Sequence, residues 1–239
     1  MMRTAAIIVA GGRGLRMKSD LRKQYLVFGG RSILSHTLAA FLTCPDVHRI
    51  FLVIPEADEA YCRDHILADF PDDCAIVDLV SGGVERQESV YNGLEAAMGL
   101  ADIVAIHDGV RPFVQPDLIT RCLAGAKAYG ACVPGVPAVD TLKTVDNDIT
   151  IEKTLDRRKV WCAQTPQAFR YDLIWAAHES ARSAGVVETD DAALLERLGR
   201  PVRMIPGSRY NLKITTPEDL ALASAVLALA ASRKNRTKS

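Results

Sequence analysis

Short apolar runs alternate with longer amphipathic stretches along most of the chain, and this alternation predicts its architecture. Residues 5–10 form the first run, which is apolar at every position and rich in β-branched residues. Such a run is typical of a strand buried on both faces of a parallel sheet. Further strands are expected at residues 49–54, 75–80, 102–107, 131–136 and 202–205. Apolar residues at helical spacing predict helices at residues 33–42, 59–70, 86–98, 116–129, 171–184, 190–198 and 216–231. Thr189 is expected to cap the helix that begins at 190.

The alternation of strands and helices predicts an α/β fold, a Rossmann-like open and mostly parallel sheet flanked by helices. Residues 137–160 break the pattern, because polar and apolar residues alternate there around Asp146-Asn147-Asp148, as in a β-hairpin. An isolated hairpin is only marginally stable. We therefore interpret this segment as a protruding arm that packs on a second subunit; a hairpin that covers its own domain is the alternative. The single domain is expected to span residues 1–231, followed by a disordered polar tail at 232–239.

A glycine-rich loop follows the first predicted strand. Gly11, Gly12 and Gly14 fall close together there. Glycine lets backbone N–H groups approach a ligand closely, and successive N–H groups form a concavity that binds anions. Cationic side chains follow, among them Arg13, Arg16, Lys18 and Lys23. The loop matches neither the P-loop nor the dinucleotide fingerprint, because no Gly-Lys-Ser/Thr follows and the third glycine is missing. We interpret it as a polyphosphate site; a tight turn with solvated charges is the alternative.

Two other loops are expected beside the glycine-rich one. Ligands of open α/β sheets bind beyond the carboxyl ends of the strands, and residues 82–83 and 108–111 follow predicted strands. Gly82 and Gly83, with Glu85, Arg86 and Ser89 at the start of the next helix, suit contact with a base or a ribose, although a plain turn would use the same residues. Asp108 could hold Mg²⁺ or a hydroxyl group, and Arg111 could bind a phosphate with two hydrogen bonds. A local ion pair between these two side chains is the alternative.

Charge and composition exclude several classes of protein. The 239 residues carry 29 basic and 29 acidic side chains, a formal net charge of zero, which argues against a dedicated nucleic-acid binder. No apolar stretch reaches the ~18 residues of a membrane span. The six cysteines are scattered singly. We therefore expect no zinc site and a reducing, cytoplasmic location in which the cysteines act as small apolar residues.

Motifs spread over the chain point to one family. The glycine-rich loop is followed by Lys23-Gln24-Tyr25. Later segments, at 107–113, 164–169, 188–192 and 211–220, read HDGVRPF, QTPQAF, ETDDA and NLKITTPEDL. Together, over about residues 4–228 and in the same order, they resemble the 2-C-methyl-D-erythritol 4-phosphate cytidylyltransferase family of the non-mevalonate isoprenoid pathway. Ribitol 5-phosphate cytidylyltransferases share several motifs, but Asp156-Arg157 before Trp161 and the run at 189–192 fit the erythritol family better.

The resemblance implies transfer of CMP from CTP to a polyol phosphate, 2-C-methyl-D-erythritol 4-phosphate, with release of pyrophosphate. It also implies help from Mg²⁺ or another divalent cation, and a homodimer. The nucleotide-binding positions that it implies are Ala10, Gly11, Gly12, Gly14, Gly82, Gly83, Ser89 and Gly109. The implied polyol-phosphate positions are Asp108, Arg111, Thr165, Thr189 and Lys213, with Thr141 and Arg157 reaching over from the partner's arm. The implied catalytic cations are Arg16, Lys23 and Lys213.

This chemistry needs no general base. A phosphomonoester has a second pKa near 6, so its oxygen is already ionised at neutral pH. The task of the protein is to bring two polyanions together and to stabilise the charge of the transition state. His107 is therefore expected to be a partly buried histidine at a strand end rather than a base.

Departures from the family pattern keep alternatives open. Gly11 stands where the family usually has alanine, Arg22 where it has proline, Val84 where an acidic residue is common, and Gly109-Val110 where Ala-Ala is common. Because the family contacts the base largely through its backbone, Val84 is not expected to abolish cytosine recognition. The alternative functions are transfer to another polyol phosphate, such as ribitol 5-phosphate, and nucleotide binding without catalysis.

Overall fold

The computed structural model describes residues 2–12 and 21–236, with side chains as far as residue 229. Its strands are β1 (Thr4–Val9), β2 (Val27–Phe28), β3 (Arg31–Ser32), β4 (Arg49–Ile54), β5 (Val77–Ser81), β6 (Ile103–Asp108), β7 (Ala131–Pro137), β8 (Lys143–Val145), β9 (Ile151–Thr154), β10 (Trp161–Ala163), β11 (Gln167–Arg170) and β12 (Arg203–Pro206). Its helices are α1 (Ile33–Leu42), α2 (Glu59–Tyr61), α3 (Arg86–Ala96), α4 (Pro116–Tyr129), α5 (Tyr171–Ser183), α6 (Asp191–Arg197) and α7 (Pro217–Arg236).

The main sheet has the strand order β10-β7-β11-β6-β1-β4-β5, and β12 also pairs with β7. Strand β1 runs parallel to both β4 and β6, and β4 runs parallel to β5. The expected Rossmann-like, mostly parallel sheet is therefore confirmed. The register sets Val9 beside Asp108 and Ile54 beside Ser81, so the loops after β1, β5 and β6 leave from the same edge of the sheet.

Both faces of the sheet are covered, as the apolar runs predict. Ala6 and Ile8 of β1 pack in one core with side chains of α1 and α4, whereas Ala5 and Ile7 pack in a second core with side chains of α3, α5 and α6. This alternation is the two-residue period of a strand. A third cluster contains Ile214 and residues of α7, and it anchors the segment that carries Lys213 beside the loop after β6.

Part of the sheet is antiparallel, and the sequence did not predict it. Strand β11 lies between β6 and β7 and is antiparallel to both, while β10 is antiparallel to β7. Strand β11 has 4 residues, Gln-Ala-Phe-Arg, which is too short to show a periodic pattern. It places the 164–169 motif at the centre of the sheet, next to β6.

The predicted hairpin is confirmed within the arm. Strands β8 and β9 pair with each other in antiparallel register and form a sheet separate from the main one. Apolar side chains of this hairpin face solvent, and Ile149 is 81% exposed. The hairpin therefore does not bury its apolar residues against its own domain.

The helix predicted at 59–70 is broken into short turns. They are the α-helical turn Glu59–Tyr61, the π-helical turn Cys62–Ile66 and the 3₁₀ turn Leu67–Asp69. Pro71 follows and disfavours helical backbone in the residue before it. The predicted element is thus present as a helical region but not as one regular helix.

Two predicted helix ends are corrected. Asp190, not Thr189, caps α6, because its carboxylate accepts the N–H of Ala193 at 3.0 Å. Helix α7 continues to Arg236, so the expected disordered tail at 232–239 is helical as far as that residue. From residue 218 onward the sequence contains neither proline nor glycine, the residues that most strongly end helices.

The cysteines are free, and Cys44, Cys62, Cys122 and Cys132 are buried. These four therefore act as small apolar side chains, as expected. Within the described part of the chain, no helix combines the length and the apolar character needed to cross a membrane.

Candidate active site

A cleft of about 930 Å³ opens at the edge of the sheet where β1, β5 and β6 end. It brings together most of the predicted nucleotide positions: Ala10, Gly11, Gly12, Gly82, Gly83 and Ser89. Lys23, Asp108 and Lys213 also line it. Two further predicted residues, Gly14 and Arg16, lie outside the described residues. The cleft is therefore a meeting point of two glycine loops and of cationic side chains.

The first loop is held by residues of the Lys23-Gln24-Tyr25 segment. The backbone N–H of Ala10 donates to the carbonyl of Val53 at 2.8 Å, and the buried side-chain amide of Gln24 donates to the carbonyl of Ala10 at 2.6 Å. Lys23 lies beside the loop, since a Cβ added to Gly12 would stand 3.8 Å from its Cε. The segment thus fixes the loop and sets a cation against its glycines.

The second loop is organised by the buried hydroxyl of Ser89. This oxygen accepts the N–H of Gly83 at 3.0 Å, and a Cβ added to Gly82 would stand 3.1 Å from it. The N–H of Val84 donates to Oε2 of Glu88 at 2.8 Å, and the Val84 side chain is 93% exposed. The loop therefore lines the cleft with residues that lack a Cβ, and the exposed Val84 side chain also lines the cleft.

Gly109 has a packing role and does not line the cleft. Its N–H donates to the carbonyl of Val9 at 2.8 Å, and a Cβ on it would stand 2.9 Å from the Cβ of Ala10. The absence of a side chain lets the loop after β6 pack closely against the end of β1. Its predicted contact with the nucleotide stays a prediction.

Three cations surround the carboxylate of Asp108. The Nε of Arg86 lies 3.3 Å from Oδ1, and the Nε of Arg111 and the Nζ of Lys213 lie 3.2 Å and 3.0 Å from Oδ2. Burial alone would raise the pKa of Asp108, but the charges of Lys213, Arg86 and Arg111 outweigh it and hold that pKa well below its usual range. The carboxylate is therefore ionised at neutral pH.

These surroundings do not fit the expected role of Asp108 as a metal ligand. A divalent cation at this carboxylate would meet the repulsion of three positive side chains that already pair with its oxygens. In the described part of the chain, no group of three or more His, Cys, Asp or Glu side chains is arranged to hold a metal ion. The carboxylate of Asp108 is thus surrounded by cationic partners, which are poor surroundings for a divalent cation.

A second cavity of about 250 Å³ shares Arg86, Asp108 and Lys213 with the cleft. It is lined by the polyol-phosphate positions predicted within one subunit: Asp108, Arg111, Thr165, Thr189 and Lys213. The guanidinium of Arg111 is fixed from its other side, because Nη1 donates to the carbonyl of Asn211 at 2.9 Å. Fixed cations beside the hydroxyl group of Thr189 suit a phosphate monoester. We name this space the acceptor cavity.

His107 and Thr165 support the end of β6 beneath this cavity. The hydroxyl of Thr165 accepts the N–H of Asp108 at 3.1 Å and lies 3.0 Å from Nδ1 of His107, whose Nε2 lies 3.3 Å from the carbonyl of Arg111. A carbonyl only accepts, so Nε2 donates and Nδ1 accepts the hydroxyl proton. Burial lowers the pKa of His107 to about 3. The histidine is more deeply buried than expected, and it is neutral and fully engaged at pH 7.

Sequence reasoning placed Arg86 beside the second loop but did not predict the side-chain contacts behind Asp108. Nη2 of Arg86 lies 2.8 Å from Oδ2 of the buried Asp191, and Nε2 of His178 lies 3.3 Å from Oδ1 of the same carboxylate. Gln167 donates to the Asp190 carboxylate at 2.8 Å. One signal was available: an arginine in the first turn of a helix opposes the helix dipole and so needs an anionic partner.

The arm residues do not reach the site of their own chain. Thr141 and Arg157 are exposed and line neither the cleft nor the acceptor cavity. Nη1 of Arg157 donates to the carbonyl of Val139 at 2.6 Å, within the arm. Their predicted contact with the acceptor therefore requires a second subunit.

Known proteins match this chain over nearly its whole length. The family model described as "IspD: 2-C-methyl-D-erythritol 4-phosphate cytidylyltransferase" matches residues 4–229. A protein of Geotalea uraniireducens named 2-C-methyl-D-erythritol 4-phosphate cytidylyltransferase is 48% identical over 95% of this chain and 97% of its own length. A protein of Syntrophus aciditrophicus with the same name is 46% identical over 94% and 96%. The crystal structure of 4-diphosphocytidyl-2C-methyl-D-erythritol synthase from Anaerococcus prevotii has a TM-score of 0.84 and 34% identity, covering 95% of this chain and 96% of that one.

Proposed function

The chain belongs to the 2-C-methyl-D-erythritol 4-phosphate cytidylyltransferase family, and from this premise we propose how its residues carry the reaction. The enzyme transfers CMP from CTP to 2-C-methyl-D-erythritol 4-phosphate, giving 4-diphosphocytidyl-2-C-methyl-D-erythritol and pyrophosphate. One observation carries the assignment of residues: Arg86, Asp108 and Lys213 line both the cleft and the acceptor cavity. Two ligands bound in these spaces would meet at these three charged side chains.

CTP occupies the cleft in this proposal. The backbone of Gly11 and Gly12 and the ammonium of Lys23 face its phosphates, with Arg16 from the adjoining segment as a further cation. The second loop, at Gly82 and Gly83, receives the cytidine. Backbone N–H groups and fixed cations are the donors that polyphosphates require.

The acceptor phosphate occupies the acceptor cavity, against Arg111 and Lys213. One of its ionised oxygens attacks the α-phosphorus of CTP and forms a new P–O bond, while the bond from the α-phosphorus to the β-phosphate oxygen breaks and pyrophosphate leaves with that electron pair. No proton has to move, in agreement with the neutral and fully engaged His107. Lys23, Arg16 and Lys213 stabilise the added negative charge of the transition state.

A divalent cation such as Mg²⁺ is part of the proposal as a companion of the CTP phosphates, not as a ligand of Asp108. Mg²⁺ keeps several waters and is commonly bound through substrate phosphates, and it would supply neutralisation of their charge. The location is proposed to be the cytoplasm, in line with the buried free thiols of Cys44, Cys62, Cys122 and Cys132.

The active form is proposed to be a homodimer in which each arm completes the partner's site. Support comes from the exposed apolar residues of the hairpin, Val145, Ile149 and Ile151. Val145 and Ile151 are cross-strand neighbours, and a contiguous exposed apolar patch is typical of an interaction site. Thr141 and Arg157 would then reach the acceptor from the second subunit.

Pyrophosphate release with CTP, Mg²⁺ and one acceptor at a time tests this function. We expect release with 2-C-methyl-D-erythritol 4-phosphate and none above background with ribitol 5-phosphate. Release with ribitol 5-phosphate alone would preserve the mechanism but replace the acceptor. Binding of CTP without release in either reaction would favour a nucleotide-binding module that does not catalyse.

A further inference from the structure

Arg86 lies where the cleft and the acceptor cavity meet, and its guanidinium joins two carboxylates. Its Nε pairs with Oδ1 of Asp108 at 3.3 Å, and its Nη2 pairs with Oδ2 of Asp191 at 2.8 Å. Asp108 lines both spaces, whereas Asp191 is only 1% exposed in the first turn of α6. One side chain thus connects the start of α3, the acceptor cavity and α6.

This is an unfavourable position for a cation on its own. Arg86 is the first residue of α3, where the positive end of the helix dipole disfavours positive charge. Its side chain is 31% exposed, so it has lost much of its hydration. A buried ion pair is weak evidence of a gain in stability, because the loss of hydration offsets the attraction. The presence of an arginine at this position is therefore better explained by its pairing with the carboxylates of Asp108 and Asp191 than by a gain in stability.

The two oxygens of Asp108 have different partners. Oδ1 pairs with Arg86, whereas Oδ2 pairs with both Arg111 and Lys213. In the proposed reaction, the ammonium of Lys213 moves from this carboxylate toward the acceptor phosphate. When it does, Arg86 on Oδ1 and Arg111 on Oδ2 keep Asp108 paired. Without Arg86, the carboxylate would depend more strongly on Lys213 and would compete with the phosphate for it.

We propose that Arg86 is a positioning residue for the acceptor: by holding Oδ1 of Asp108, it allows Lys213 to exchange that carboxylate for the acceptor phosphate. The inference rests on the proposed function for the identity of the acceptor, and it adds to that function a residue that acts through Asp108. The buried carboxylate of Asp191 holds the guanidinium in place through Nη2.

The variant Arg86→Lys tests the bridge while keeping the charge. A guanidinium presents separate nitrogens to the two carboxylates, whereas an ammonium is a single compact donor group. Lysine can therefore satisfy Asp191 or Asp108 but not both with the same geometry. The matched control is Arg63→Lys, because Arg63 pairs with Glu59 through two nitrogens on the exposed surface and lines neither cavity.

Acceptor affinity is measured by titration calorimetry in the presence of α,β-methylene CTP, which cannot transfer CMP. For Arg86→Lys, we expect the Kd of 2-C-methyl-D-erythritol 4-phosphate to rise about tenfold, while the Kd of the CTP analogue changes less than about threefold. The control should change neither constant. If Arg86 had a purely structural role, the variant would have a lower thermal midpoint and would bind both ligands more weakly. Equal losses of affinity for the two ligands, or an unchanged Kd for the acceptor, would overturn the proposal.

A second comparison tests whether Arg86 acts through Asp108. In the background of Asp108→Asn, the carboxylate no longer competes for Lys213, so adding Arg86→Lys should change the acceptor Kd by less than about threefold. Additive effects of the two substitutions would contradict the inference.

A double variant covers the case in which Arg86→Lys does not fold. Arg86→Gln combined with Asp191→Asn removes the ion pair as a unit and leaves no buried charge unpaired. The same rise of about tenfold in the acceptor Kd is expected, and an unchanged Kd would again overturn the proposal. Calorimetry measures binding and requires no turnover, so these experiments test the role of Arg86 separately from catalysis. Absence of pyrophosphate release by the wild-type chain would contradict the proposed function, not the role of Arg86.

Discussion

Replacing Lys213 with alanine separates the catalytic effect of this side chain from its effect on stability. Lys213 lines both cavities, its Nζ lies 3.0 Å from Oδ2 of Asp108, and its side chain is 40% exposed. After the substitution, Asp108 still pairs with Arg86 at 3.3 Å and with Arg111 at 3.2 Å. The variant therefore leaves no unpaired buried carboxylate, and the partly exposed pair that it removes contributes only about 0.2–1 kcal/mol to the free energy of unfolding.

The effect on the rate should be much larger. A charged donor that stabilises a transition state typically contributes about 10²–10³ in kcat, or ~2.7–4 kcal/mol. We expect Lys213→Ala to reduce kcat for pyrophosphate release by that factor, while urea denaturation shows a loss of unfolding free energy below about 1 kcal/mol. Lys127→Ala is the control, because Lys127 is exposed on α4 and lines neither cavity. A Lys213→Ala enzyme that keeps more than about a third of the wild-type kcat would refute the catalytic role.

Three other predictions follow from the same geometry. Lys23→Ala should also lower kcat by about 10²–10³ with the fold intact; a rate close to wild type, measured by pyrophosphate release, would remove Lys23 from the mechanism. If each arm completes the partner's site, mixing inactive Lys213→Ala and Arg157→Ala chains should restore about a quarter of wild-type activity, since random pairing gives one intact site in each mixed dimer; no recovery after subunit exchange would place Arg157 elsewhere. Burial lowers the pKa of His107 to about 3, against about 6.5 in an unfolded chain. Its contribution to stability is therefore complete above about pH 6.5 and is lost as the pH falls toward 3. Between pH 7 and pH 5 the wild type should lose about 2 kcal/mol more unfolding free energy than His107→Gln, and equal losses in urea denaturation would contradict the buried, neutral state.

Much of the fold could be predicted because the signals are local. The run at 5–10 is apolar at every position, and its side chains pack alternately in the two cores on either face of the sheet. Parallel strands then bring the loops after β1, β5 and β6 to one edge by topology alone. Strand β11 carried no such signal, because its residues acquire a strand conformation only by pairing with β6 and β7.

The sequence predicted which positions belong to the candidate site but not which of their side chains contact one another. Residues of separate motifs, such as Arg111, Thr165 and Thr189, do line one cavity. The bridge through Arg86 could not be predicted, because its partner Asp191 is 105 positions away and nothing local indicates that the two side chains meet. The expectation of a metal at Asp108 arose in the same way. The sequence shows a carboxylate at a strand end, but it does not show the three cations that surround it in the fold.

Identification of the product tests the central claim most directly. Wild-type chain, CTP, Mg²⁺ and equal concentrations of 2-C-methyl-D-erythritol 4-phosphate and ribitol 5-phosphate are incubated together, and the products are separated and identified by mass spectrometry. The account predicts 4-diphosphocytidyl-2-C-methyl-D-erythritol as the cytidine product, formed in equimolar amount with pyrophosphate. The ribitol ester as the main product, or consumption of CTP without any cytidyl ester, would contradict it.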